Sequence, residues 1–339
     1  MKRRTGFAVA CSAGLVSAFV DLRAQESKPR IDDKSRNELW AVATTKLPTF
    51  PDLPALTTPD PGVKLHEVSL VWDRGTSRLW IYLPAGEPAK ATLPCVFIAP
   101  AGSNLLFGMD LGDGDRVEHL PYVKAGFAVV AYEIEGACPP ENGRTPEALW
   151  AASRRFQSSC AGLQDARAAL EYALARVPSI DPKRLFAAGH SSAATMTLLF
   201  AAHEPRLKGC AAYAPIDDVR KRIGDENVAE FEHHLPGLGN FLVKSSPRTH
   251  EARLNCPLFL FHAKEDATVP FADSQAFVDR LRAADKKVTF ETVPAGDHYQ
   301  SMLEVGVPKA IEWLKALSAS GAAKPDAKPG TSGKPKPGN

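Results

Sequence analysis

The stretch Phe186-Ala187-Ala188-Gly189-His190-Ser191-Ser192-Ala193-Ala194 constrains this chain more than any other. The apolar run Arg184 to Ala188 reads as a buried strand, and Ala194 to Ala202, rich in small residues, reads as a helix. Between them the chain must turn sharply within a few residues. Such a turn strains the backbone of its central serine and tolerates only small neighbours, here Gly189 and Ala193. It exposes the serine Oγ and aims the following N–H groups and the helix N-terminus at the same point, where an anion can be held.

The surrounding pattern fits that junction. From Leu93 onward short apolar runs alternate with helical spacing: Cys95 to Ala99, Phe127 to Tyr132, Arg184 to Ala188, Cys210 to Pro215, Pro257 to His262 and Val288 to Val293 read as strands. Helices are expected at Val117 to Ala125, at Thr145 to Ala175 with a break near Ser158 to Gly162, at Asp273 to Ala284 and at Pro308 to Leu317. Continuous apolar strands alternating with helices imply a mainly parallel sheet covered on both faces. Ahead of it, Leu65 to Trp72 and Arg78 to Leu83, joined at Asp73-Arg74-Gly75, read as an antiparallel edge hairpin. Residues 217–253, charged and interrupted by glycine, are expected to form a small cap. Residues 25–62, with Pro48, Pro51, Pro54, Pro59 and Pro61, are expected to lie as an extended arm on the surface.

Both ends of the chain depart from core composition. Lys2, Arg3 and Arg4 precede an uncharged stretch from Gly6 to Val20, the pattern of an export signal, with cleavage after Ala18 or Ala24. The expected organisation is a signal segment at 1–24, the arm at 25–62, a core domain at 63–318 and a basic, unstructured tail at 319–339. Cys11, after Ala8-Val9-Ala10, gives a weak lipoprotein-like alternative. The expected location is the periplasm or the outside of the cell. There Cys138 and Cys160 are candidates to pair, whereas Cys95, Cys210 and Cys256 read as small buried hydrophobes. A net charge of +2 over 339 residues leaves no footprint for nucleic acid. No run reaches the length of a membrane-spanning helix, and no Cys/His spacing implies a metal or other cofactor.

A serine hydroxyl is a poor nucleophile until a base takes its proton and an acid orients that base. In sheets of this kind ligands sit beyond the carboxyl ends of the strands, so the partners should follow later strands in the order serine, acid, histidine. Asp266 lies just past the strand Pro257 to His262, before a turn fixed by Pro270, and is preferred to Glu265. His298, in Gly296-Asp297-His298, follows the last strand. His262 reads as a packing residue at a strand end, and His233-His234 as solvated residues of the cap. Asp217-Asp218 read as helix caps, with the triad acid as an alternative role.

These residues resemble the α/β-hydrolase family, most closely its prolyl-oligopeptidase-like and dienelactone-hydrolase-like branch, over roughly Leu65 to Leu317. The resemblance rests on Gly189-His190-Ser191-Ser192-Ala193, on Asp266 with Val269-Pro270, and on Gly296-Asp297-His298. It implies a central sheet of about eight strands. It further implies Ser191 as nucleophile, His298 as general base, Asp266 as orienting acid, and acyl transfer to water through a covalent intermediate. Two departures stand out. Ala193 replaces the usual second glycine, and Ala99-Pro100-Ala101-Gly102-Ser103-Asn104 stands where a His-Gly stretch is common. Gly102 still permits a tight turn, and the backbone N–H of Ser103 is expected to join that of Ser192 around the oxyanion.

The leading functional expectation is an exported serine hydrolase acting on an ester of a small molecule, without nucleic-acid partners. A peptidase acting on short peptides is the alternative. Prolyl-oligopeptidase relatives usually carry a β-propeller ahead of the hydrolase domain, and the residues before Leu65 are too few to build one. A non-catalytic binding protein on the same scaffold is a further class, since a fold does not guarantee chemistry. A lyase or haloperoxidase on that scaffold also stays open.

Overall fold

The computed structural model describes residues 46–322. The expected signal segment, the first part of the arm and most of the expected tail lie outside them. Nine strands form one sheet: β1 (Thr57–Asp60), β2 (Val63–Trp72), β3 (Gly75–Pro84), β4 (Leu93–Ile98), β5 (Ala128–Tyr132), β6 (Ile180–His190), β7 (Leu207–Tyr213), β8 (Leu258–Ala263) and β9 (Val288–Val293). Their order across the sheet is β1-β2-β3-β5-β4-β6-β7-β8-β9. From β5 to β9 every pairing is parallel, while β1, β2 and β3 join antiparallel at one edge. The added strand relative to expectation is β1, drawn from the proline-rich arm.

The helices are α1 (Arg116–Lys124), α2 (Pro146–Ser158), α3 (Leu163–Arg176), α4 (Ser192–His203), α5 (Val219–Ile223), α6 (Asp225–Glu232), α7 (Leu238–Lys244), α8 (Phe271–Ala283) and α9 (Val307–Ala322). The expected break in the long 145–175 pattern is sharp: Cys160 (φ 57°), Ala161 (φ 54°) and Gly162 (φ 80°) are all left-handed and separate α2 from α3. Apolar side chains from the two faces of the sheet form two cores. One packs Phe97, Leu170, Leu198 and Phe277 together, and the other Tyr82, Phe127, Phe186 and Phe259. Strands buried on both faces account for the continuous apolar runs.

The described part of the arm does lie along the surface. Phe50 packs edge-on to Tyr172 at 5.4 Å, Arg176 donates to the carbonyls of Phe50 and Pro51, and the His66 Nδ1–H donates to the Pro54 carbonyl at 2.7 Å. Residues between β7 and β8 form the short helices α5, α6 and α7. Asp218 caps α5, accepting from the Lys221 N–H, while Asp217 pairs with Arg280. Asp218 is thus the expected helix cap, whereas Asp217 is held in an ion pair instead. Cys138 and Cys160 are both free thiols. Among the described residues no helix is long and apolar enough to cross a membrane.

What this topology does for chemistry follows from the strand order. β6, β7, β8 and β9 are consecutive neighbours. Loops leaving β6, β8 and β9 at their carboxyl ends therefore open on one rim of the sheet. β4 is the other neighbour of β6, so the loop after it borders the same rim.

Candidate active site

Ser191 stands between β6 and α4, as the N-cap of α4, with φ 55° and ψ −120°, a conformation that L-residues avoid. The strain is held by its surroundings. The Ser191 N–H donates to the Tyr213 carbonyl at 2.8 Å, tying the turn to the end of β7. α4 packs so closely on β6 that a Cβ at position 189 would sit 2.6 Å from both the Ala193 carbonyl oxygen and the Thr197 hydroxyl. Only glycine fits there. Ser192 is buried, and its hydroxyl has no hydrogen-bond partner among the described residues.

Asp266, in the loop after β8, is a buried carboxylate with four donors. Its Oδ1 accepts from the N–H groups of Thr268 (2.8 Å) and Val269 (3.0 Å). Its Oδ2 accepts from His298 Nδ1 at 2.7 Å and from His262 Nε2 at 3.0 Å. Burial alone would raise the acid's pKa, but the two imidazoles and the Val269 N–H outweigh it and hold the group well below the usual carboxylate range. Asp266 is ionised at every working pH. Since a carboxylate can only accept, His298 carries its proton on Nδ1, which leaves Nε2 as a base.

His262, expected to pack at a strand end, is fully buried there. It also has a polar role that the sequence did not disclose. Its Nε2–H points at Asp266 and at the Val269 carbonyl (3.1 Å), and its Nδ1 accepts from the Ser274 hydroxyl at 2.8 Å. A histidine four residues before an acid, across a strand end, was the available signal. The cap histidines behave as expected: both are exposed, with His234 stacked on Trp150 at 4.8 Å.

The loop after β4 turns at Gly102 (φ 98°). Within it the Ser103 hydroxyl accepts from the Leu105 N–H at 3.0 Å and donates to the Phe107 carbonyl at 2.5 Å. The Asn104 side chain accepts from the Leu106 N–H. These bonds tie the loop's own turn together.

Two further titratable residues reach this rim. His190, next to Ser191, donates from Nε2 to the His298 carbonyl at 2.9 Å, with the two rings 4.5 Å apart. Glu118, on α1, lies with Oε1 3.9 Å from His190 Nδ1 and is hydrogen-bonded to the Tyr299 hydroxyl. Burial, with a smaller push from Asp115, raises Glu118 to about 8, whereas burial lowers His190 to about 3. Both are neutral near pH 7, so their contact is not an ion pair.

Residues 117–317 match the prolyl oligopeptidase family. The chain is 23% identical over 247 residues to the uncharacterized peptidase YuxL of Bacillus subtilis (strain 168), covering 71% of this chain and 36% of that protein. It therefore spans about a third of that relative's length. Among solved structures it is similar to an acetyl xylan esterase from Paenibacillus sp. R4 (TM-score 0.59, 16% identity, 77% of this chain and 87% of the esterase). It is similar also to the acylaminoacyl peptidase of Pyrococcus horikoshii (TM-score 0.59, 16% identity, 79% of this chain and 43% of the peptidase). Those structural likenesses show the α/β-hydrolase fold. The chain belongs to the prolyl oligopeptidase family.

Proposed function

We propose that the protein hydrolyses esters of small molecules through Ser191, His298 and Asp266. The observation that carries this reading is the 2.7 Å hydrogen bond from His298 Nδ1 to an ionised Asp266, together with a serine held at φ 55° on the strand-to-helix turn whose preceding residue, His190, bonds the His298 carbonyl. In the first half-reaction His298 Nε2 takes the Ser191 proton as Oγ attacks the ester carbonyl carbon. The N–H groups of Ser192 and Ser103 receive the resulting oxyanion. Collapse expels the alcohol, which leaves with the proton held on Nε2, and Ser191 keeps the acyl group. Water then attacks the acyl-enzyme with its proton passing to Nε2, and the acid leaves as Ser191 recovers its hydrogen. Asp266 never takes a proton; it fixes the imidazole and stabilises its cation.

The ester reading is supported by the likeness to the acetyl xylan esterase. A peptidase acting on short peptides is the second reading, favoured by the family match and by the YuxL relative. The first residues carry the export pattern, and the proposed site of action is outside the cytoplasm. A p-nitrophenyl ester series and a peptide-amide series, each run with wild type and Ser191→Ala, separate the two. Ester turnover that disappears in Ser191→Ala is expected. Amide turnover abolished by that substitution, with no ester turnover in the wild type, reverses the order.

A further inference from the structure

His190 is the buried polar side chain that joins the two loops on which the proposed chemistry depends. It is covalently next to Ser191, and its ring lies against His298 at 4.5 Å and against Tyr299 at 5.5 Å. A backbone carbonyl only accepts, so the contact with the His298 oxygen at 2.9 Å is a donation from His190 Nε2–H. That bond runs from the residue preceding the nucleophile to the main chain of the general base itself, across 108 positions of sequence.

We propose that His190 is a positioning residue that fixes the register of Ser191 against His298, an inference that rests on the triad reading above. Three further features fit a clamp. The ring is 3% exposed, so water does not compete for its donor. Its neutral state over the working range adds no positive charge beside the imidazole that must itself become a cation. The other bonds of the His298 loop lead away from the elbow: His298 Nδ1 reaches Asp266, the Tyr299 hydroxyl reaches Glu118, the Asp297 carboxylate accepts from the N–H groups of Tyr299 and Gln300, and the Ser301 hydroxyl donates to the Asp297 carbonyl. Those bonds shape the loop but do not set its distance from the elbow, whereas the His190 bond does.

The test uses the full chain with His190→Leu, His190→Asn and His190→Gln. Leucine removes the donor, asparagine keeps an amide that is too short to reach from the Nε2 position, and glutamine restores an N–H at that reach. For each, kcat and KM on p-nitrophenyl acetate and the rate of labelling by a fluorophosphonate probe are read beside the melting temperature. Because a misplacement of about 1 Å can cost on the order of 10² in rate, His190→Leu and His190→Asn should lose about that factor in kcat and in labelling, with KM within about twofold. His190→Gln should recover to within about tenfold of wild type. If leucine prevents folding, the glutamine–asparagine pair decides alone. Folded leucine or asparagine variants within about threefold of wild-type kcat, or a glutamine variant no better than asparagine, overturn the clamp. Wild-type protein that neither labels nor turns over ester overturns the triad reading on which the clamp rests. Wild-type labelling with unaffected variants overturns the clamp alone.

Discussion

Asp266 and Glu118 are both buried carboxyl groups on one rim of the sheet, yet they are held in opposite states. Asp266 sits at a strand end where two backbone N–H groups and two imidazoles converge on it. Glu118 projects from a helix face, with the Tyr299 hydroxyl as a hydrogen-bond partner and Asp115 adding negative charge nearby. Burial penalises both anions, and the number of donors decides which one survives it. The strand-end loop thus supplies a permanent negative charge where the proposed mechanism develops an imidazolium. The helix supplies a neutral carboxylic acid, which does not compete for that cation at neutral pH.

The largest effect should come from removing the charge that Asp266 holds. Asp266→Asn keeps the shape but offers His298 an amide that can hold the wrong tautomer, and kcat should fall by about 10³–10⁴ in steady-state ester assays. Loss of less than about tenfold would mean that His298 does not depend on this acid. Next is His262→Leu, which takes one of the four donors from Asp266 and leaves the Ser274 hydroxyl and the Val269 carbonyl without their partner. Folded variant should retain a triad of looser geometry, with kcat lower by about 10–10². An unchanged kcat would show that three donors suffice.

The smallest effect on rate, and the clearest contrast, belongs to Glu118→Gln. Glu118 keeps its proton in the folded chain up to about pH 8, while its ordinary value is 4.5. Between those values the folded state binds more protons than the unfolded one, so this group makes stability fall as pH rises through the window and level off above it. Glutamine has no such proton to lose. The variant should therefore melt higher than wild type at pH 9, by an amount equivalent to a few kcal/mol on the order of the shift, with the advantage shrinking towards pH 5. Parallel melting curves at all pH values would mean that Glu118 is not protonated in the folded state, and the contrast with Asp266 would collapse.

How much of this is legible in the sequence differs between the two groups for a physical reason. Ser191, Asp266 and His298 each follow a strand directly, so apolar periodicity places them without any knowledge of packing. β9 falls on Val288–Val293 as the pattern indicates, and the loops after β6, β8 and β9 follow from it. Elements whose local sequence conflicts with their structure are harder to read. β1 forms in a proline-rich stretch, and β6 begins at Ile180, ahead of Pro182. The proline is tolerated there because the pairing with β4 shifts register between Leu93 and Cys95. Glu118 and His190 carry no local signal, since their neutrality arises only when α1 closes over the turn. His262 lies between: its spacing from Asp266 is visible in sequence, but the bend that turns it onto the carboxylate is not.

The central claim is that His298, oriented by Asp266, activates Ser191 as the nucleophile. It is tested most directly by reacting the folded protein with a fluorophosphonate and locating the adduct by peptide mass spectrometry, in wild type and in His298→Ala. One adduct on Ser191 is expected, formed at least about 10²-fold more slowly in His298→Ala. An adduct on Ser192 or elsewhere, or labelling of Ser191 at the wild-type rate without His298, would contradict the account.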